Sequence, residues 1–248
     1  MFVAASTQCW PDLSLAECIE VLEDLDFTAI EIALHEDGQL KPSELVEDLD
    51  RSIQLLRHTH RMEISGYSVD IGEINEKAFD TFKKICHLAK TTKVVNITVP
   101  SSPEGTAFNE EVERLQKLVD IGSDEGVRVS VRCQLDCMSQ DADTLTVFCN
   151  HIEGLGVALD PSVYLVKGTL DPALDKIIKF ACNIYLRDSQ PNAFQVSVGQ
   201  GEIDYNKIIA MLAREKYDRA LTVFMEPQED LDHRVELRKL RRLLETLL

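Results

Sequence analysis

The sequence predicts an α/β protein, a (β/α)8 TIM barrel in a single domain spanning 1–248. Three observations predict it. Short β-branched runs alternate with longer amphipathic stretches along the whole chain, the pattern of parallel strands joined by helices. Eight such units fill 248 residues, about 31 residues each, and eight is the number at which this sheet closes. Several runs also carry one polar and one apolar face. Strands of an open doubly wound sheet are covered on both sides and tend to be apolar on both. A closed barrel packs its outer face under helices and opens its interior into a polar site.

Strands are expected at 2–6, 29–34, 63–69, 94–99, 127–133, 156–160, 183–186 and 221–225. In the second, Glu31 and His35 oppose Ile30, Ile32 and Leu34. In the fourth, Asn96 and Thr98 oppose Val95, Ile97 and Val99. In the fifth, Ser130, Arg132 and Gln134 oppose Val129, Val131 and Cys133. In the seventh, Asn183, Tyr185 and Arg187 oppose Ile184 and Leu186.

Helices follow the strands. Leu15, Ile19, Leu22 and Leu25 recur at helical spacing behind Ser14-Leu15-Ala16-Glu17, a capping box in which serine and glutamate satisfy free N–H groups. Val112, Leu115 and Val119 do the same ahead of Gly122. The segment 235–248 sets Leu237, Leu240, Leu243 and Leu244 against Arg234, Arg238, Lys239, Arg241 and Arg242, an outer helix with a solvated basic face. Gly199-Gln200-Gly201-Glu202-Ile203-Asp204 reads as a flexible turn with Asp204 as N-cap. Ser6-Thr7-Gln8-Cys9-Trp10 cannot serve as the glycine-rich turn of a dinucleotide fold.

Composition narrows the partners. Lys and Arg number 26 against 43 Asp and Glu, a formal charge of −17. Such a surface repels nucleic-acid phosphates and anionic lipid. No apolar run approaches the roughly 20 residues of a membrane span, and the first residues lack the basic region of a secretion signal. The expectation is a cytoplasmic protein, monomer or homodimer, with neither nucleic acid nor membrane as partner. Seven cysteines, an odd number, read as reduced thiols, mostly small core residues. Cys133 and Cys137 are not spaced as a zinc knuckle. His58, His60, His87, His151 and His233 fall on helices or the turns after them and read as surface residues.

In a barrel of this kind the site is built where strands end and βα loops begin. The residues to weigh there are Thr7, Gln8, His35, Glu36, Tyr67, Asp70, Thr98, Ser101, Arg132, Gln134, Asp160, Ser162, Tyr185, Arg187, Asp188 and Glu226.

Several strand-end segments resemble the xylose isomerase-like barrels, the sugar phosphate isomerases/epimerases. They are Ile30-Glu31-Ile32-Ala33-Leu34-His35, Gly126-Val127-Arg128-Val129-Ser130-Val131, Leu159-Asp160-Pro161-Ser162, Tyr185-Leu186-Arg187-Asp188 and Val198-Gly199-Gln200-Gly201-Glu202-Ile203-Asp204, with Tyr217-Asp218 before the last strand. The resemblance implies an eight-stranded barrel holding one divalent ion. It also implies a reaction through an enediolate, in which the ion stabilises charge on oxygen and carboxylates move the proton.

The ligand set that the resemblance implies is poorly matched. Arg132-Cys133-Gln134 stands where a Glu-Asn-His ending is usual. Asp160 is kept, but Val163 takes the place of the following His. The strand-seven His falls on Tyr185. The strand-eight Glu falls on Phe224 or, by the string Met225-Glu226-Pro227, on Glu226. Two carboxylates hold a divalent ion weakly; magnesium or manganese, which keep their waters, are the candidates, and no protein metal-ligand set is assigned.

The expected function is therefore a sugar (phosphate) isomerase/epimerase-like protein acting on a small polyol, sugar or sugar phosphate, with lost or altered metal-dependent chemistry. The alternative is a non-catalytic barrel that binds a carbohydrate-like molecule. Asp160 and Glu226 are the candidate catalytic groups. His35, Arg132, Gln134, Tyr185, Arg187 and Asp188 are the candidate substrate-binding groups. Arg132 is expected to pair with Asp160 and Glu226 in the ion's stead, or else to point through the mouth into solvent. His35 contacts a sugar hydroxyl or bonds Glu36 or Asp37. Tyr185 donates to ligand or plugs the site. Arg187 binds an anionic group or pairs with Asp188 at the rim. A related barrel class, the endonuclease IV-like DNA repair enzymes, needs many zinc ligands and a basic groove, and this chain offers neither.

Overall fold

The computed structural model describes residues 1–72 and 75–248. Eight parallel strands close into a barrel in sequence order: β1 Phe2–Ser6, β2 Ala29–His35, β3 Glu63–Asp70, β4 Asn96–Val99, β5 Arg128–Arg132, β6 Gly156–Leu159, β7 Ala181–Leu186 and β8 Ala220–Val223, with β8 returning to β1. The helices among the described residues are α1 Leu15–Asp24, α2 Pro42–Leu45, α3 Leu49–Arg57, α4 Glu76–Thr91, α5 Phe108–Asp124, α6 Ala142–His151, α7 Pro161–Val166, α8 Leu170–Ile177, α9 Tyr205–Arg214 and α10 His233–Leu247. None is long and apolar enough to cross a membrane.

The local signals act as expected. The Ser14 side chain accepts from Glu17 N while the Glu17 carboxylate accepts from Ser14 N at 2.9 Å, so the capping box is complete. Asp204 caps α9, accepting from Lys207 N at 3.0 Å. The outward faces of the strands supply Ile30, Ile32, Leu34, Ile97, Val129, Val131, Val157 and Ile184, all buried under the helices.

Two expectations fail on α10. Its basic face is only partly solvated: Arg241 is buried and its guanidinium joins Asp26 at 3.1 Å to Glu245 at 2.8 Å. His233 is also buried rather than superficial. Its Nε2 lies 2.8 Å from Cys9 O, and its ring meets Trp10 edge-on at 4.5 Å. A helix that closes the barrel over β1 and β8 brings its first turn inward, which a helical wheel alone does not show.

The cysteines are all free thiols. Burial pushes Cys9, Cys18, Cys86, Cys133 and Cys149 up to about 12, so these five stay protonated and unreactive.

The barrel interior departs from the bulky aliphatic filling usual in this architecture. Ala4, Ala29 and Ala220 form its floor. Above them Ser6, Glu31, Ser68, Asn96, Thr98, Ser130, Asn183 and Thr222 are all buried. Several bond one another: Thr222 Oγ1 donates to Asn183 Oδ1 at 2.8 Å, Asn183 Nδ2 donates to Glu31 Oε1 at 2.7 Å, and the hydroxyls of Thr98 and Ser130 lie 3.2 Å apart. Such a network is stable only when its members find partners, because an unpaired polar group in low dielectric is costly. It forms a rigid polar floor for the mouth above.

Candidate active site at the barrel mouth

The most deeply set charges at the mouth are Asp160 and Arg187. Asp160 follows β6 and caps α7: its Oδ1 accepts from Ser162 N at 3.0 Å. Its Oδ2 accepts from Arg187 Nη2 at 2.8 Å, and both side chains are 1% exposed. The Arg187 guanidinium lies against the Phe194 and Phe224 rings, 4.5 and 4.4 Å from their centroids. Both oxygens of Asp160 are thus committed, one to a helix end and one to a cation.

Arg132, at the end of β5, takes a different course from the one expected. It reaches neither Asp160 nor Glu226 in an ion pair, and it does not swing free into solvent. Its guanidinium is wedged against two rings, Tyr185 at 4.9 Å and Phe224 at 4.6 Å, and Nη1 donates to Gln8 Oε1 at 3.3 Å. Its Nε is buried without a partner. Among the described residues it makes no ion pair within 4.0 Å. Pairing explains the exchange of roles: Arg132 is level with Ala158, one turn of pleat below Asp160. Arg187 comes from the opposite neighbour of β6, where a register irregularity between Val157 and Ala158 shifts the strands.

His35 bonds neither Glu36 nor Asp37. Its Nδ1 lies 3.3 Å from Gln8 Nε2 and its Nε2 lies 3.0 Å from Ser68 Oγ. Burial, with the charge of Arg132, holds its pKa below the ordinary histidine value against the pull of Asp70, so the ring is neutral at neutral pH. Gln8 therefore ties Arg132 to His35 through one amide. Tyr185 points down: its hydroxyl donates to Glu31 Oε1 at 2.8 Å, and its ring forms an edge contact with Phe224 at 5.7 Å.

Glu31 is the important residue missing from the sequence-based candidates. It lies beneath Arg132 and Tyr185, with Oε2 buried and unpartnered. Burial pushes its pKa up to about 7, against the hydrogen bond from Tyr185 and the charge of Arg132. The signal was present in the sequence, since Glu31 shares the inward face of β2 with His35.

Glu226 is placed incorrectly by the sequence. β8 ends at Val223, so the alternation that would turn residue 226 inward no longer applies. The inward position is taken by buried Phe224, whose N–H donates to Leu186 O at 3.0 Å. Glu226 is exposed, its backbone N–H held by Gln195 Oε1 at 2.8 Å. Asp160 is thus buried in its pair with Arg187, whereas Glu226 stands exposed at the rim. Gln134 lies beyond β5 with a buried, unpartnered Oε1, beside a smaller cavity of about 310 Å³ lined also by Ser101 and Cys137.

Asp188 does not pair with Arg187 at the rim. Its Oδ2 accepts from Gly199 N at 2.7 Å and Gly201 N at 3.0 Å. The segment expected to be a flexible turn, 199–204, is thereby pinned at Gly199 and Gly201, and Phe194, earlier in the same loop, lies over Arg187. Ser197 Oγ and Val198 N add bonds to Glu236 Oε2 at 3.0 and 2.6 Å. A Cβ on Gly201 would lie 1.9 Å from Asp188 Oδ1 and 2.7 Å from Ser189 N. Gly201→Ala is expected to destabilise the fold by about 1–3 kcal/mol in urea melts, the range for an overpacked site. It is also expected to speed proteolytic cleavage within 189–202; unchanged cleavage would show that Asp188 does not hold this segment.

A cavity of about 680 Å³ opens beside Arg132, between the loops after β1, β2 and β8. Gln8, His35 and Phe224 line its barrel side, Glu226 and Asp37 its rim.

The sequence profile of the xylose isomerase-like TIM barrel family matches residues 19–244. No curated protein matches the sequence. A xylose isomerase-like TIM barrel protein from Mycobacterium smegmatis, solved with magnesium, superposes with a TM-score of 0.77 at 15% identity, covering 99% of this chain and 97% of that one. A D-tagatose 3-epimerase-like protein gives 0.75 at 17% identity, covering 100% and 98%. A 3-keto-D-glucoside 4-epimerase from E. coli gives 0.75 at 13% identity, covering 99% of both chains. At these identities the likeness is one of fold.

Proposed function

Because the chain belongs to the xylose isomerase-like TIM barrel family, we propose that it binds a small carbohydrate-like molecule at the barrel mouth and has given up the family's metal-centred chemistry. The observation that carries this reading is the Arg187–Asp160 pair. A divalent ion needs the free oxygens of several donors. Each oxygen of Asp160 already accepts one bond, from Ser162 N and Arg187 Nη2, and the guanidinium at 2.8 Å neutralises the charge an ion would need and would repel the ion itself. Arg132, Tyr185 and Phe224 stand at the other positions where the resemblance calls for ligands. Among the described residues no group of three or more His, Cys, Asp or Glu is placed to hold a metal. The residues present do not fit the ion.

Arg132 supplies what positive charge the mouth offers to a ligand. Stacked on the Tyr185 and Phe224 rings and bonded to Gln8, its planar fork is held in place and acts on the mouth through its field rather than by contact. Gln8, positioned by His35 through one hydrogen bond, adds an amide whose second N–H and carbonyl match hydroxyl groups. A polyol or sugar ring seated there meets the Gln8 amide, the edge of His35 and the Phe224 ring, with the Arg132 guanidinium behind Gln8 and Phe224. The same groups suit a sugar phosphate less well, because Asp37 and Glu226 line the same opening.

The test is metal content of protein purified without chelator, paired with thermal shifts. Magnesium, manganese and zinc up to millimolar concentration are expected to leave Tm unchanged, because an ion stabilises by mass action only where a site exists. Free sugars and polyols are expected to raise it saturably. A metal-dependent rise that disappears in Asp160→Asn would overturn the reading.

A further inference from the structure

The cavity beside Arg132 has two unlike walls. Thr7, Gln8, Ala33, His35 and Phe224 come from the strand ends and form the inner wall. Trp10, Leu13, Leu40 and Pro227 come from the loops after β1, β2 and β8 and form the outer one. The volume, about 680 Å³, falls among sites that enclose drug-sized molecules, about 300–1,000 Å³. A lone sugar ring on the inner wall leaves the loop wall wet. Trp10 is fixed there by its edge contact with His233 at 4.5 Å, so the aromatic surface is preformed. The charged lining groups are Asp37 and Glu226, both acidic, and among the described residues no Lys or Arg lines the cavity.

We propose that this cavity takes a neutral glycoside, with its polyhydroxy ring against Gln8 and His35 and an aryl or similarly apolar aglycone against Trp10, Leu13, Leu40 and Pro227, and that it rejects phosphorylated sugars. The proposal rests on the ligand-binding reading above and names the ligand's class. Each wall contributes separately. Hydroxyls exchange bonds with the Gln8 amide and the two carboxylates, while His35, whose two nitrogens are held by Gln8 and Ser68, presents its ring edge. The aglycone removes apolar loop surface from water. A phosphate dianion would face Asp37 and Glu226 with no lining cation, and such like-charge juxtaposition is how a site refuses a wrong ligand.

Titration calorimetry on the full chain separates the parts. The probes are the phenyl β-D-glycosides of glucose, galactose and xylose, the three free sugars, glucose 6-phosphate and phenol. At least one phenyl glycoside is expected to bind about tenfold tighter than its free sugar, from the apolar area its ring buries. Glucose 6-phosphate and phenol are expected to give no saturable heat. Leu40→Arg is expected to abolish the phenyl advantage while leaving free-sugar affinity intact. Pro227→Arg, at an exposed position that does not threaten the fold, is expected to do the same. Equal affinity for glycoside and free sugar would overturn the aglycone wall and leave the ligand-binding reading standing. Tight binding of glucose 6-phosphate, or of phenol alone, would overturn the assigned class. Absence of binding by every probe would overturn both.

Discussion

Replacing Arg187 by methionine is expected to destabilise the protein by about 3–5 kcal/mol, the usual cost of removing one member of a buried ion pair. The size follows from what is left behind. Asp160 Oδ2 would remain buried with its charge uncompensated, while Oδ1 still caps α7. The stacking of the guanidinium between Phe194 and Phe224 would go as well. A partner substitution isolates the electrostatic part. Asp160→Asn keeps an oxygen for Ser162 N and removes the stranded charge, so the double variant is expected to recover about 2 kcal/mol or more relative to Arg187→Met alone. Urea denaturation of wild type, both single variants and the double variant gives the coupling directly. A loss below about 1 kcal/mol for Arg187→Met would place the pair with ordinary surface bridges, and the account of how this mouth is held together would fail. So would full additivity of the two substitutions.

That pair also marks how far the sequence can be read. The barrel is legible because period and count suffice: two-faced strands, helical spacing between them, and eight units. Strand ends fall within a few residues of those expected, and residues that share parity do share a face. Site chemistry is less legible, because it depends on which of several inward side chains reaches which partner. Arg132 and Arg187 both flank β6, both face inward, and either could neutralise Asp160. The register irregularity in the β6–β7 pairing and the rings of Tyr185 and Phe224 decide the matter, and neither is written in local sequence. Glu226 fails for another reason. Parity holds only within a strand, and β8 stops at Val223. Asp188 and the glycines after it look like a mobile turn until the backbone folds back on the carboxylate. Glu31 was visible as an inward acid, but only the closed barrel shows Asn183 and Tyr185 arriving at it from across the interior.

Glu31 gives the second large effect, and its sign depends on pH. An ordinary glutamate titrates near 4.5, whereas burial raises Glu31 to about 7. Below pH 4.5 the group is protonated in folded and unfolded chains alike and contributes no difference. Between 4.5 and 7 the unfolded chain releases this proton while the folded chain keeps it. The folded state then binds more protons, and stability falls as pH rises. Above 7 the loss is complete, about 3 kcal/mol for a shift of this size. Glutamine at this position imitates the protonated side chain, still accepting from Asn183 Nδ2 and Tyr185 OH. Glu31→Gln is therefore expected to match wild type near pH 4, to gain on it progressively from pH 5 to 7, and to exceed it by about 3 kcal/mol at pH 8. Urea melts of both proteins across this range, compared as a difference, cancel the titrations they share. A difference that stays flat, or that grows as pH falls, would show that Glu31 is not a buried acid held above its ordinary range. The same proton bears on the ligand. While Glu31 is protonated, Arg132 stands over a neutral floor and its charge is directed to the mouth; once Glu31 ionises, part of that charge is answered from below.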